Sequence, residues 1–139
     1  MHKFVENIKS SYGQASTALG SETSDKIAVT AFLDMSKYDL YTAVAHVVNS
    51  ATSVVTTLTI YEATAAAGTG SQSLAITDTF TAVATSDTDV LVAQVRAEQL
   101  SAGYQYAGAV LSSSSSSGAE ICGIIQFQSR ARYAQATLP

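Results

Sequence analysis

The segment DTDVLVAQVRAEQLSAGYQYAGAVL, residues 87–111, limits how the whole chain can fold. Apolar and polar residues within 90–96 recur with a period of two, which is typical of a β-strand. The two faces of this strand carry Val90 with Val92 and Leu91 with Val95. A polar corner follows at 97–103, and alternation resumes at 104–111. The second strand places Tyr104, Tyr106 and Val110 on one face and Ala107, Ala109 and Leu111 on the other. The segment therefore predicts two strands joined by a short corner.

Strand signals recur on both sides of this segment. Runs rich in β-branched and aromatic residues, separated by polar turns, predict further strands. They lie at 27–35, 40–48, 54–61, 74–76, 80–84 and 120–128, although 80–84 also fits a helical turn. The run at 40–48 is apolar on both faces, which is typical of a central strand. Small and glycine-rich stretches at 62–73 and 112–118 predict loops. About eight short strands without a long helix predict an all-β fold, an antiparallel β-sandwich or barrel.

The length of 139 residues fits one domain. Residues 27–128 hold the strand signals and predict a β-sandwich domain. Residues 1–26 contain few large apolar groups, and they predict an N-terminal arm that is either frayed or ordered against a neighbouring molecule. Residues 129–139 predict a C-terminal tail. The termini are therefore expected to extend from the sandwich.

The composition favours contact with other protein subunits. Only 13% of residues are charged, whereas 47% are hydrophobic and the mean hydropathy is +0.18. Monomers seldom expose large apolar patches, so part of this surface is expected to be covered by other subunits. A homo-oligomer is predicted, with a dimer favoured over a trimer. The net charge of −4 and the total of seven Lys and Arg argue against binding to nucleic acid.

The cellular setting is constrained by cysteine content and hydropathy. Cys122 is the single cysteine, so no intramolecular disulfide can form. The first residues, MHKFVENIKSS, lack the apolar run of a signal peptide, and no stretch reaches the ~18 apolar residues of a membrane helix. We therefore expect synthesis in a cytoplasm and no association with a membrane.

The residues suited to metals do not form a recognisable site. His46 has no second histidine or cysteine at ligand spacing, and it is predicted to be a packed or interface histidine. Cys122 lies in an apolar strand and is predicted to be a small core residue. A weak calcium site is conceivable at Asp78, Asp87 and Asp89, but the spacing of an EF-hand is missing. Aspartates before a strand are usually turn formers, and that interpretation is favoured. No metal is predicted.

Catalytic motifs are also missing from the sequence. There is no G-x-S-x-G elbow, and GTGS at 68–71 lacks the lysine and the helix pattern of a phosphate-binding loop. No catalytic residue and no cofactor are predicted, and the chain is not expected to be an enzyme.

Aromatic and basic residues are the candidates for intermolecular contact. The chain has seven tyrosines and no tryptophan. Tyrosine suits contact surfaces because its ring buries area while its hydroxyl keeps a hydrogen bond. Tyrosines at the ends of the sheets are an equally good explanation. The candidate residues for self-contact or partner contact are Phe4, Ile8, Tyr12, Tyr104, Tyr106, Arg130, Arg132 and Tyr133.

Several short motifs resemble one family. They are Glu-Ala-Thr at 62–64, Gly-Thr-Gly at 68–70, the pattern Val-x-x-Val-x-Ala-Glu-x-Leu at 92–100, and Gly-Tyr-x-Tyr at 103–106. Over residues 27–133 the chain resembles small structural proteins encoded beside the major capsid gene of tailed bacteriophages. The motifs are structural, so their specificity is moderate.

The resemblance implies a capsid decoration, or cement, protein. Such a protein binds the outer surface of an icosahedral head and stabilises contacts between subunits of the major capsid protein, which would be its partner. A jelly-roll fold is implied, as in short-tailed phages, and it matches the strand count. The alternative is a carbohydrate-binding β-sandwich module of a phage surface or tail structure, because jelly rolls also host lectins. The lack of tryptophan, which often stacks on sugars, weighs against that alternative.

Overall fold

The computed structural model describes residues 8–19, 26–48, 52–114 and 120–131, and side chains within 28–48, 52–114 and 122–131. These residues form nine strands and one 3₁₀ turn. The strands are β1 (Ile8–Leu19), β2 (Lys26–Ala28), β3 (Leu33–Asp34), β4 (Tyr38–Val48), β5 (Val55–Ala63), β6 (Gln72–Thr81), β7 (Thr88–Arg96), β8 (Tyr106–Ser113) and β9 (Glu120–Ala131). The 3₁₀ turn, Ala97–Gln99, occupies the predicted corner between β7 and β8.

Two antiparallel sheets make a β-sandwich, as predicted. The four-stranded sheet has the order β1-β9-β4-β7, and the other sheet has the order β2-β8-β5-β6. The short strands β2 and β3 both pair with β8, at different points along it, so nine strands fill eight positions. The pairs are nested: β1 with β9, β2 and β3 with β8, β4 with β7, and β5 with β6. A long hairpin rolled into two sheets gives this order, which is the jelly-roll arrangement.

The core lies between the inner faces of the two sheets. Leu91 and Val95 are buried while Val90 and Val92 are exposed, so the predicted faces of β7 are confirmed. The predicted grouping of Ala107, Ala109 and Leu111 on one face of β8 is confirmed as well, because all three are fully buried. β4 is a central strand between β9 and β7, as its two-sided apolar pattern predicted. The period of two therefore identified which side chains share a face.

The strand boundaries differ from the predictions at several places. The run 27–35 forms two short strands instead of one, since the chain leaves β8 between them. The predicted loop 62–73 is shorter, because β5 continues to Ala63 and β6 begins at Gln72. The two short predicted elements at 74–76 and 80–84 belong mainly to one strand, β6, and there is no helical turn at 80–84.

The predicted N-terminal arm also differs. Residues 8–19 form β1, which pairs along β9 at the edge of the four-stranded sheet. β9 itself continues to Ala131, beyond the predicted start of the tail at 129. Backbone hydrogen bonds are available to any sequence, so a Ser- and Gly-containing segment can add a strand without an apolar pattern. The rest of the arm and of the tail, including Phe4, Arg132 and Tyr133, lies outside the described residues.

The inner face of β9 carries two buried amides. The Tyr41 hydroxyl donates a 2.8 Å hydrogen bond to Gln126 Oε1, and Gln126 Nε2 donates to the Ala31 carbonyl at 3.2 Å. Gln128 Nε2 donates to the Asp34 carbonyl at 2.6 Å. Burial raises the pKa of Tyr41 far above its ordinary value, so the hydroxyl remains a donor. The amides fasten the irregular segment around β3 to the opposite sheet.

Asp78 connects the two sheets along one open side of the sandwich. β6 and β7 are the edge strands on that side, and Asp78 lies opposite Leu58 on the inner face of β6. Its Oδ2 accepts a 2.8 Å hydrogen bond from the Val92 amide of β7, and its Oδ1 accepts from Thr79. The carboxylate thus accepts the hydrogen bond of an edge-strand amide that could otherwise pair with another strand, and this limits edge-to-edge pairing.

Replacing Asp78 by alanine is expected to lower the free energy of unfolding by about 1–2 kcal/mol, because a charge-assisted bond between the sheets is lost. Hydrogen exchange followed by NMR should show faster exchange of the Val92 amide. Asp89→Ala is the matched control, since the exposed Asp89 carboxylate accepts from the amide of its own neighbour Val90 and not from the other sheet within the described residues. Unchanged exchange at Val92 in Asp78→Ala would contradict this role.

Candidate contact surfaces

The loop end of the sandwich brings together two of the motifs quoted above. Glu62, at the end of β5, is fully buried on the inner side of its sheet. Its Oε1 accepts a 2.6 Å hydrogen bond from Gln72 Nε2, and its Oε2 accepts a 2.7 Å bond from the Ser101 amide. Burial by itself raises the pKa of Glu62, but the hydrogen bonds from Gln72 and Ser101 outweigh it and hold the pKa below the ordinary value. The carboxylate therefore joins β5, β6 and the corner before β8.

Sequence reasoning assigned Glu62 to a loop and missed this role. The signal was the continuing period of two, because Leu58 and Ile60 point inward and Glu62 is the next position on that face. Both carboxylate oxygens are engaged by groups of the same chain. Glu62 is therefore a structural carboxylate.

Tyr104 lies beside a small cavity at this loop end. The cavity has a volume of about 90 Å³, and its lining is Met35, Ser36, Ala97, Leu100, Tyr104 and Gln105. Tyr104 and Tyr106 are both half-buried. Small-molecule sites usually enclose about 300–1,000 Å³, so this cavity is too small to hold a sugar ring as an enclosed ligand. The predicted contact role of the two tyrosines stays a prediction.

Asp34 borders the same cavity residues. Its Oδ1 accepts hydrogen bonds from Gln105 Nε2 at 2.9 Å and from the Ser36 amide at 2.8 Å. Burial raises the pKa of Asp34, but these bonds and the nearby positive charge of Lys37 outweigh it, and the pKa lies below its ordinary value. Asp34 is thus a charged turn former that accepts from the amide two residues further along the chain.

The residues considered for metal chemistry are dispersed. Within 8–19, 26–48, 52–114 and 120–131, no group of three or more His, Cys, Asp or Glu is placed to hold a metal ion. Cys122 is buried, which confirms its assignment to the core. Asp87 accepts a 3.0 Å bond from the Val83 amide, as expected of a turn former. His46 is exposed on β4, so of the two predicted alternatives it is not a packed histidine, and its role at an interface stays a prediction. In the same part of the chain, no helix has the length and hydropathy needed to span a membrane.

The outward side of β4, β7 and β9 in the four-stranded sheet carries an apolar patch. We call it the outer face and define it by Val44, His46, Val90, Val92, Ile125 and Phe127. Val44 pairs with Val92 on one side and with Ile125 on the other, which makes a continuous apolar row across three strands. Val90, Val92 and Ile125 are 52%, 45% and 42% exposed. Ile125 and Phe127 share the face of β9 that looks away from the core, while Gln126 and Gln128 point into the core.

Three other predicted contact residues lie on or near this sheet. Ile8 and Tyr12 belong to β1, where Tyr12 is the register partner of Ile125 and Ile8 is that of Ser129. Arg130 is exposed near the end of β9, and its guanidinium is 3.9 Å from Asp39 Oδ2. An exposed ion pair at that distance contributes little to stability, so the guanidinium is free to exchange this partner for another carboxylate.

No protein-family model and no curated protein sequence matches the chain. Solved structures that match include infectious bursal disease virus of the Gx strain, at 11% identity and a TM-score of 0.50 over 91% of this chain and 30% of that one. The CBM22-1–GH10 modules of xylanase 10B from Clostridium thermocellum match at 9% identity and 0.50, over 91% and 29%. The VP2 subviral particle of infectious bursal disease virus matches at 12% and 0.48, over 92% and 37%.

The chain spans about a third of the length of these matched chains. At such low identity, the likeness establishes the fold and nothing about activity. The neighbours include virus proteins and a carbohydrate-binding module, so this chain belongs to the class of jelly-roll-like β-sandwiches that both groups use.

Proposed function

We propose that the chain is a structural virion protein, a decoration or cement protein on the outside of an icosahedral phage head. The proposed partner is the major capsid protein, whose subunit contacts it would stabilise. The observation that carries the proposal is the exposed apolar outer face, which indicates a chain that works within a protein assembly, while the contacts with the capsid protein itself are assigned to the loops, edges and termini. Contiguous apolar surface on a β-sandwich is typical of protein–protein contact, and this face is built on a sheet whose register is fixed on both sides of β4.

The fold and the sequence resemblance support the same proposal. A jelly roll presents its termini, loops and sheet edges from a rigid body, and repeated copies on a shell make weak contacts additive. The motifs that resemble phage structural proteins include Glu62 and Tyr104, and here they form the hydrogen-bonded loop end of the sandwich. Their role in this proposal is to stiffen the domain.

The direct test is co-sedimentation of the purified chain with shells assembled from the major capsid protein of the same phage. A second measurement gives the copy number of the chain, by quantitative mass spectrometry of purified virions. We expect saturable binding and a stoichiometric, shell-like copy number. Absence of the chain from virions, together with strong specific hits on a glycan array, would overturn the proposal in favour of the carbohydrate-binding alternative.

Arg130 supplies a residue-level prediction for shell binding. Arg130→Glu is expected to weaken retention on shells several-fold, since an exposed guanidinium that pairs with capsid carboxylates becomes a repelling charge. The loss should diminish as salt rises, because salt screens exposed charges. Arg96→Glu is the matched control, as Arg96 is similarly exposed at another position on the sheet. Equal effects of both substitutions would show that only net charge matters.

A further inference from the structure

The outer face has the chemical character of a surface that meets a copy of itself. In a two-fold interface the same patch of each subunit meets its counterpart on the other. Charges of one sign on the patch would therefore face each other and repel. On the described strands β4, β7 and β9, the rows centred on Thr42, Val44 and His46 carry no Asp, Glu, Lys or Arg. His46 is the single ionisable side chain in those rows, and Arg96 lies at the end of the sheet.

The size of the face also fits a dimer. Strands are spaced about 4.8 Å apart and rise about 3.3 Å per residue, so the three strands that define the face, at about nine residues each, present roughly 14 by 30 Å, or about 400 Å². Accessible area exceeds this flat projection because side chains protrude. A stable interface takes about 800 Å² from each partner. The outer face can therefore supply the centre of a standard interface and about half of its area.

The geometry of the sheet favours stacking of face on face. Val44, at the centre of the row, is flanked by Val92 and Ile125, and the neighbouring row holds His46 between Gly123 and Val90. Valine and isoleucine are compact and stiff, and two such faces can pack about 10 Å apart, as sheets do inside sandwiches. A partner with a charged surface would leave its charges without counterparts on these rows.

We propose that the outer face is a two-fold interface, and that its occupant is a second copy of this chain stacked sheet on sheet. The dimer is relevant to shell binding only if the proposed function holds. In that case each dimer would bring two capsid-binding domains together and bind the shell with higher avidity. The dimer itself requires no capsid.

The test measures the mass of the full chain in solution by sedimentation velocity at about 1–100 μM, a range that brackets moderate affinities. We expect a dimer of the 14.4 kDa chain. Val92→Asp places a carboxylate on the central row, and it is expected to raise the dissociation constant at least 100-fold. Val83→Asp is the matched control, because Val83 is 83% exposed but lies in the turn outside the face, and it should leave the dimer intact.

Circular dichroism and thermal melting show whether each variant is folded, and Val90→Asp replaces Val92→Asp if the latter does not fold. A wild-type monomer at 100 μM, or dimers that persist in both face variants, would overturn the inference. If the wild type is monomeric and Val92→Asp instead abolishes shell binding, the face contacts the capsid protein: the inference fails and the proposed function stands. A dimer that does not bind shells would support the inference and refute the proposed function.

Discussion

Replacing Gly108 by alanine is expected to lower the free energy of unfolding by about 2–3 kcal/mol, at the upper end of what overpacking usually costs. A Cβ at Gly108 would stand 2.6 Å from Phe32 Cδ1 and 2.8 Å from Phe32 Cγ. Gly68 flanks the other side of the ring, where an added Cβ would stand 3.0 Å from Phe32 Cε2. The Phe32 backbone is also held by a 2.8 Å bond from its amide to the Ala66 carbonyl.

The measurement is chemical denaturation of the wild type, Gly108→Ala, Phe32→Leu and the double variant. Leucine is smaller than phenylalanine and vacates part of the space, so Gly108→Ala should cost much less in the Phe32→Leu background. The coupling between the two positions isolates the steric contact from any change in backbone freedom. An equal cost in both backgrounds would show that the ring is not responsible.

The sequence predicted which residues of β7 and β8 share a face because side chains alternate along a strand. Leu91 and Val95 are apolar and buried, and the period of two places them together without any knowledge of the partner strand. Alternation does not say which face is the inner one, and on β9 hydrophobicity would have indicated the wrong face. Gln126 and Gln128 are polar and buried, and Ile125 is apolar and exposed, because hydrogen bonds to distant backbone carbonyls decide the orientation of β9.

Other features could not be predicted because they depend on tertiary contacts alone. β1 lacks an apolar period, and its place in the sheet comes from backbone pairing with β9. The close approach of Phe32 to Gly108 joins segments far apart in the chain. For the candidate contact surface, alternation identified the side of β7 that carries Val90 and Val92. Only the sheet order shows that Val44 and Ile125 extend this side into one face.

Replacing Glu62 by glutamine is expected to lower the free energy of unfolding by about 2–3 kcal/mol at neutral pH. Glutamine keeps the shape but offers one acceptor where the carboxylate has two, so either its NH₂ group faces the fixed donor of the Ser101 amide or the Gln72 amide has to turn over and present its oxygen. A buried donor left without an acceptor costs about 1–3 kcal/mol, and bonds to a charged group are the stronger ones. Glu98→Gln is the matched control, since this substitution removes the same charge from an exposed side chain in the corner between β7 and β8.

The cost of Glu62→Gln should depend on pH in a defined direction. The folded-state pKa of Glu62 lies below its ordinary value of 4.5, so the stability contributed by the carboxylate is present above about that pH and is lost as pH falls through the folded pKa. A protonated Glu62 resembles glutamine, with one donor and one acceptor. Urea denaturation at several pH values from 7 to 3 should therefore show the difference between wild type and Glu62→Gln constant near neutrality and shrinking in acid. The pKa of Asp34 is also lowered, but it acts equally in both proteins and cancels in the difference. If the difference in unfolding free energy between the two proteins stays constant down to pH 3, or grows, the stabilisation by Glu62 does not come from its charge.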